Sequence, residues 1–249
     1  MPDVPAYLRI AGDLRARIVA GDLAPGSKIP TETALMAVYG VSRTVAKYAI
    51  NVLKGEGLVE GRRGSGVYVR EIRRLVRESH ARNMRTQPGS TSPFQRDAAL
   101  MGQQGGWEHE SAHEVASLEV AQRLGIDVGA PVMVTRYRFL ADGEPIQLST
   151  SYEPLALTGG TPVEWPEDGA AVGVVARFDR IGIRIDGCTE RVTARSARPE
   201  EIEALGLSLR GAYVLVVRRT YYAGELAVET ADIVFPGDRY DLVYRFPVD

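Results

Sequence analysis

The chain has 249 residues, 45% of them hydrophobic, a net charge of −2 and one cysteine, Cys188. That length suits two domains of ordinary size, and a single cysteine excludes an internal disulfide, so Cys188 reads as a small buried residue. No apolar run approaches the roughly 18 residues that span a bilayer and no signal-peptide pattern opens the chain, so a soluble protein of the reducing cytoplasm is expected.

The first predicted element is a helix from about Val4 to Ala20, with Tyr7, Ile10, Leu14 and Ile18 on one face. Gly21 ends it, and residues 22–26 turn the chain. Two short helices follow, Thr31 to Tyr39 and Ser42 onward; Gly40 supplies the left-handed residue between them and Ser42 caps the second. This is a helix-turn-helix. Val45, Ala49, Val52 and Leu53 form the buried stripe of the second helix, which leaves Arg43, Thr44 and Lys47 to face outward. Arg can pair with guanine through two hydrogen bonds, and Ser and Thr can reach base edges or phosphates, so the helix suits a major groove; the bland alternative is a helical hairpin with a solvated basic face. Two apolar runs then flank Gly61-Arg62-Arg63-Gly64-Ser65-Gly66, a hairpin whose glycines let it approach a phosphate backbone and whose arginines supply charge.

From Glu71 to about Gln87 the chain is dense in arginine, and Pro88 to Pro93 completes a change of composition, so residues 71–92 are expected to link domains 1–70 and 93–249. The charge is split accordingly. Residues 1 to 88 hold 15 basic against 8 acidic residues (+7), and the remainder 15 against 24 (−9). The back half alternates strand and helix patterns: strand Trp107 to Val115, helix Leu118 to Leu124, strands Pro131 to Leu140 and Pro145 to Tyr152 joined through Asp142-Gly143, helix Ala170 to Phe178, strand Ile183 to Ala194, helix Pro199 to Leu205, and paired strands Ala212 to Tyr222 and Leu226 to Phe235. The class is α+β around a mostly antiparallel sheet. A faint repeat runs through it, Leu124-Gly125-Ile126 with Gly129, Val132 and Arg136 being echoed by Leu205-Gly206-Leu207 with Gly211, Val214 and Arg218.

Several motifs of the front half, Leu23 to Glu32, Gly40-Val41-Ser42-Arg43, Gly57-Leu58-Val59 and Arg62 to Val69, arrive in the order of the winged helix-turn-helix of GntR-type bacterial transcription regulators, which the chain resembles over some 70 residues. The resemblance implies DNA contacts from Thr31, Ser42, Arg43, Thr44, Lys47, Arg62, Arg63, Gly64 and Ser65; where the family usually carries a further contacting Arg, this chain has Thr33. Behind it, Arg136-Tyr137-Arg138, Asp142 to Ile146 and Gly237-Asp238-Arg239-Tyr240 resemble the UTRA effector-sensing domain of the HutC branch, which is chorismate-lyase-like in fold. An effector site at Ser92, Phe94, Arg136, Arg138, Ser149, Glu229 and Phe235 is what that resemblance implies.

Arg136 and Arg138, two apart on a strand, share a face, so they read either as a clamp for a ligand's phosphate or carboxylate or as a solvated pair bound to acids across the sheet. Ser149 and Phe235 stand where members that sense phosphorylated amino sugars have Glu and Tyr, which removes hydrogen-bonding capacity for that head group. His109-Glu110-Ser111-Ala112-His113 spells a zinc-hydrolase pattern, but on a strand its two histidines stand about 13 Å apart, too far for one metal, and the third histidine, His80, falls in the linker. The expectation is therefore a regulator without metal or cofactor: a dimer on a pseudo-palindromic double-stranded DNA operator, acting as a repressor released by a small anionic effector, with no membrane partner. Two alternatives stand beside it, a back domain that only dimerises and an enzyme using a chorismate-lyase-like pocket.

Overall fold

The structure is a computed structural model and describes residues 4–71, 74–79, 82, 85, 92–168, 173–207 and 212–246. His80, residues 88–91 of the expected linker, residues 170–172 of the helix expected from Ala170, and Gly211 lie outside these. The chain divides into two compact units, Met1–Arg73 and Arg74–Ser208 with Ala212–Asp249.

The first unit holds α1 (Ala6–Ala20), α2 (Glu32–Tyr39), α3 (Arg43–Gly55), β1 (Val59–Arg62) and β2 (Gly66–Val69). Thr31 and Ser42 cap α2 and α3 by accepting from the Ala34 and Val45 amides at 3.2 and 3.4 Å, and Gly40 closes α2 at φ +64°. The buried residues of α3 are Ala46, Ala49, Ile50 and Leu53, packed with Ile10, Leu14 and Leu35 of the other helices. Val45 and Val52, expected inside, are half-buried at the edge of this core. α3 is met by α1 and α2 together, so its buried stripe is centred between the two. β1 and β2 pair antiparallel into the wing, and a bridge from Lys28 to Tyr68 adds a short third edge.

The second unit is built on a six-stranded antiparallel sheet in the order β4-β5-β6-β9-β8-β7. Its strands are β4 (Gly105–Val115), β5 (Pro131–Ala141), β6 (Glu144–Pro154), β7 (Gly187–Ser196), β8 (Tyr213–Ala223) and β9 (Leu226–Pro236). The helices are α4 (Pro93–Leu100), α5 (Leu118–Leu124), α6 (Leu155–Thr158), α7 (Val174–Arg180) and α8 (Pro199–Ala204). The β5–β6 and β8–β9 hairpins are displaced by 82 residues (213 − 131 and 226 − 144), and so are their register shifts, after Phe139 and after Tyr221. The faint sequence repeat is thus a repeat of structure: α4-β4-α5-β5-β6 recurs as α7-β7-α8-β8-β9, with β6 and β9 paired at the centre.

Alternation divides each strand between two layers. Val132 and Val134 pack with α5, and Val214, Val216 and Val234 with Leu205 at the end of α8. On the other face Phe94 and Ala98 of α4 pack with Ala231, Ile233 and Phe235, and Phe178 of α7 packs with Tyr221. Gly105 is where α4 lies closest, since a Cβ there would stand 3.0 Å from the Gln95 Cα and 3.1 Å from the Ala98 Cβ. Part of the expected linker belongs to this unit: β3 (Leu75–Glu78) pairs in parallel with β10 (Tyr240–Val243), two short strands that the density of charge around them hides from a periodicity reading. Alternation again explains it, for Leu75 and Arg77 are buried, Arg77 against Glu190 at 3.1 Å and a second, shorter bond. Cys188 is exposed on the edge strand β7, against the expectation that it is buried.

Candidate DNA-binding surface and cavity

In the first unit Thr31, Ser42, Arg43, Thr44, Lys47, Arg62, Arg63, Gly64 and Ser65 are all exposed. Arg43, at the first turn of α3, keeps 71% of its side chain exposed and its nearest acid, Glu32, is 3.8 Å away. The arginine is therefore extended and uncommitted to the fold, as a base-reading side chain must be. At the wing Arg62 lies 4.5 Å above the Tyr68 ring with its Nε 3.2 Å from Glu60, while the Tyr68 and Ser65 hydroxyls share a hydrogen bond of 2.6 Å. The ring thus holds the root of the wing tip by a cation–π contact and leaves Arg63 and Gly64 at its crest.

The second unit contains a cavity of about 160 Å³ between the sheet and helices α4 and α7. The central strands floor it with Gln147, Ser149, Ser151 and Glu153 of β6 and with Glu229 and Ile233 of β9; β5 adds Tyr137 and Phe139, and β8 adds Arg219 and Tyr221. These are the odd-numbered residues, the face that the valine layer leaves free. Ser92 and Phe94 line it from α4, where Ser92 is the cap, accepting from the Gln95 amide at 3.1 Å.

Arg136 and Arg138 do not line this cavity. They stand on the opposite face of β5, where Arg136 pairs with Glu114 at 2.8 Å and Arg138 with both oxygens of Glu108 at 2.8 and 3.0 Å. The expectation of an Arg136/Arg138 clamp is corrected accordingly: the two do share a face, but the residue between them, Tyr137, points to the cavity, so neither guanidinium can. Phe235, also expected there, is fully buried between Tyr240 and Arg77 and does not line the cavity. Ser92, Phe94, Ser149 and Glu229 all line the cavity.

The cationic groups of the lining are others, Arg82, Arg85, Arg96, Arg177 and Arg219. Arg177 donates to Glu153 at 2.7 and 3.0 Å, Arg219 to Glu229 at 2.8 Å, Arg82 to Asp97 at 2.6 and 2.9 Å and Arg85 to Asp179 at 3.1 and 3.3 Å. Burial pushes the Glu229 carboxyl above its ordinary range, and Arg219 beside it opposes the shift without cancelling it. A signal for Arg177 and Arg219 was present in the sequence, since each is an arginine in an apolar run, but only the layering shows which face each one takes.

His109 and His113 lie on β4, where His113 pairs with Glu164 at 2.8 Å and stacks on Trp165. Among the described residues no group of three or more His, Cys, Asp or Glu side chains could hold a metal ion, and no helix is long and apolar enough to cross a membrane.

Comparison with known proteins gives two domain matches, to bacterial regulatory proteins of the gntR family over residues 6–69 and to the UTRA domain over residues 107–241. The chain is 29% identical over 245 residues to the HTH-type transcriptional repressor NagR of Bacillus subtilis, with 97% of this chain and 94% of that protein covered. It is 25% identical over 242 residues to the histidine utilization repressor of Pseudomonas aeruginosa, covering 97% and 91%. A crystal structure of a GntR-family transcriptional regulator is 46% identical to it, with a TM-score of 0.73 over 98% of each chain.

Proposed function

Since the chain belongs to the GntR family, as a HutC-type DNA-binding transcription regulator with a UTRA domain, we propose that it is a dimeric repressor in the cytoplasm that a small anionic effector releases from its operator. The family and the relatives named above are regulators and not enzymes, so the cavity serves binding. Residues 1–70 are the DNA-binding domain and 93–249 the effector-binding and dimerisation domain, with 71–92 connecting them and giving β3 to the second. A dimer places two copies of α3 in successive major grooves of a pseudo-palindromic site, with Arg43, Thr44 and Lys47 toward the bases, Thr31 and Ser42 toward phosphates, and Arg62, Arg63, Gly64 and Ser65 along the backbone.

The observation that carries the effector reading is the cavity on the odd face of the sheet, walled by five arginines and reached by Ser92, Phe94, Ser149 and Glu229. An anionic group in the cavity has guanidinium groups within its walls, which Arg136 and Arg138, on the far face of the sheet, do not supply. The effector releases DNA if it binds the DNA-free conformation more tightly than the DNA-bound one.

The test is a fluorescence-anisotropy titration of a fragment of the gene's own upstream DNA, repeated with a panel of small organic and phosphorylated acids. Release by one of these acids is expected in the wild type and in Arg136→Ala, and is expected to fail in Ser149→Phe, whose ring fills the cavity. Undiminished release from a Ser149→Phe protein that melts like the wild type places the effector elsewhere. A dimer by sedimentation that no acid releases supports the alternative of a back domain that only dimerises.

A further inference from the structure

The two halves of the structural repeat bring different side chains to the cavity. Positions 82 residues apart face it in pairs, Tyr137 with Arg219, Phe139 with Tyr221 and Gln147 with Glu229. Aromatic residues dominate the first half: Phe94, Trp107 and Tyr137 each touch Phe139, with ring centroids 4.8, 6.3 and 5.4 Å from it. Trp107 Nε1 and the Tyr137 hydroxyl both donate to Glu167, at 3.0 and 2.8 Å. With those polar tips engaged, the wall offers an occupant ring faces and apolar edges.

The second half supplies charge that is already paired. Arg177 binds both oxygens of Glu153, and Arg219 binds Oε1 of Glu229; of these four side chains the most exposed is Arg219, at 12%. An ammonium placed here meets two guanidinium groups, and a carboxylate meets two carboxylates. Three bonding positions of these side chains have no partner among the described residues: the donors Arg177 Nε and Arg219 Nε and, as the one acceptor, Glu229 Oε2. Glu229 is 0% exposed and lines the cavity, yet its Oε2 has no hydrogen-bond partner among the described residues. A buried carboxylate oxygen left unpaired is costly, and an uncharged donor satisfies it without adding charge.

Size narrows the occupant further. A cavity of about 150 Å³ in another protein takes up benzene, and this one, at about 160 Å³, has room for one ring and small substituents. Building on the effector reading above, we infer that the effector is a planar, single-ring acid bearing an uncharged hydrogen-bond donor, a hydroxyl or a ring N–H. The ring lies along Tyr137 and Phe139, the donor binds Glu229 Oε2, and the acid group is met by Arg82, Arg85 and Arg96, three guanidinium groups against the two acids Asp97 and Asp179 that Arg82 and Arg85 hold.

Isothermal titration calorimetry on the full chain tests this with four probes: 4-hydroxybenzoate, benzoate, cyclohexanecarboxylate and D-gluconate. In the wild type 4-hydroxybenzoate binds tightest, benzoate about tenfold more weakly for want of the donor, and the two non-planar acids more weakly still. Glu229→Gln removes the advantage of 4-hydroxybenzoate over benzoate. Phe139→Leu weakens both aromatic acids alike. Equal binding of benzoate and 4-hydroxybenzoate, tighter binding of either non-planar acid, or no binding of either aromatic acid overturns the inference, and these wild-type comparisons decide it even if a variant fails to fold. Ser149→Phe separates this failure from that of the effector reading. If D-gluconate binds best and Ser149→Phe abolishes its binding, the cavity is the effector site and only the ligand class is wrong; if binding survives Ser149→Phe, the cavity is not the site.

Discussion

Replacing Arg43 by Ala isolates base reading from folding. The side chain is 71% exposed and its ion pair to Glu32 is long at 3.8 Å, so the pair contributes at most about 1 kcal/mol to stability. Its position in the first turn of α3 sets its positive charge against the helix dipole, and removing it offsets part of that small loss. The melting temperature of the first unit should therefore hardly move. In the complex with DNA the same side chain is expected to make two hydrogen bonds to one guanine, and their loss costs about 1–3 kcal/mol, or about 5- to 150-fold in affinity. The assay is anisotropy on the operator at fixed salt, joined to selection of binding sites from randomised DNA. Preference should relax at one base pair in each half-site and persist elsewhere. An unchanged base preference, or equal weakening on all sequences, refutes the reasoning, because a phosphate contact and not a base contact would then account for the loss.

The wing should behave in the opposite manner: Arg63→Ala weakens binding to all sequences alike and lowers the slope of log affinity against log salt by about one for the lost phosphate contact. An unaltered slope means the wing does not touch the backbone. Glu190 gives a pH test of the second unit. Burial alone would raise its carboxyl, but hydrogen bonds and the charge of Arg77 hold it down to about 2. A folded pKa below the unfolded value of 4.5 means stability that is complete above about pH 5 and is lost as pH falls through 2, about 3 kcal/mol in all. Urea midpoints between pH 7 and 2 should show this slope in the wild type and a shallower one in Glu190→Gln, which is also less stable at pH 7 by about 3–5 kcal/mol because Arg77 stays buried without its partner. Equal slopes in the two proteins rule out the Arg77–Glu190 pair as the source.

Most of the first unit is legible in the sequence because its signals are local. Thr31 and Ser42 cap helices through amides three residues ahead, Gly40 takes a left-handed conformation that few other residues adopt, and Gly64 and Gly66 mark a turn whose positive φ favours glycine. The same holds for the Asp142-Gly143 hairpin and for the repeat, whose glycines and valines recur at nearly constant spacing. Period-2 alternation also fixes that Arg136 and Arg138 share a face and that Tyr137 takes the other. What alternation cannot say is which face is covered by which layer. That is decided when α5 and α8 settle on Val132, Val134, Val214 and Val216, leaving the odd-numbered residues to enclose a cavity with α4 and α7. The arginine pair thereby goes to the wetter side, against Glu114 and Glu108 of the neighbouring strand, and Arg177 and Arg219, more than 30 residues away in sequence, come to the cavity with Glu153 and Glu229. Leu75–Glu78 becomes a strand for a similar reason: its partner, Tyr240–Val243, lies at the far end of the chain, and a parallel pair formed across that separation leaves no mark in the spacing of either segment.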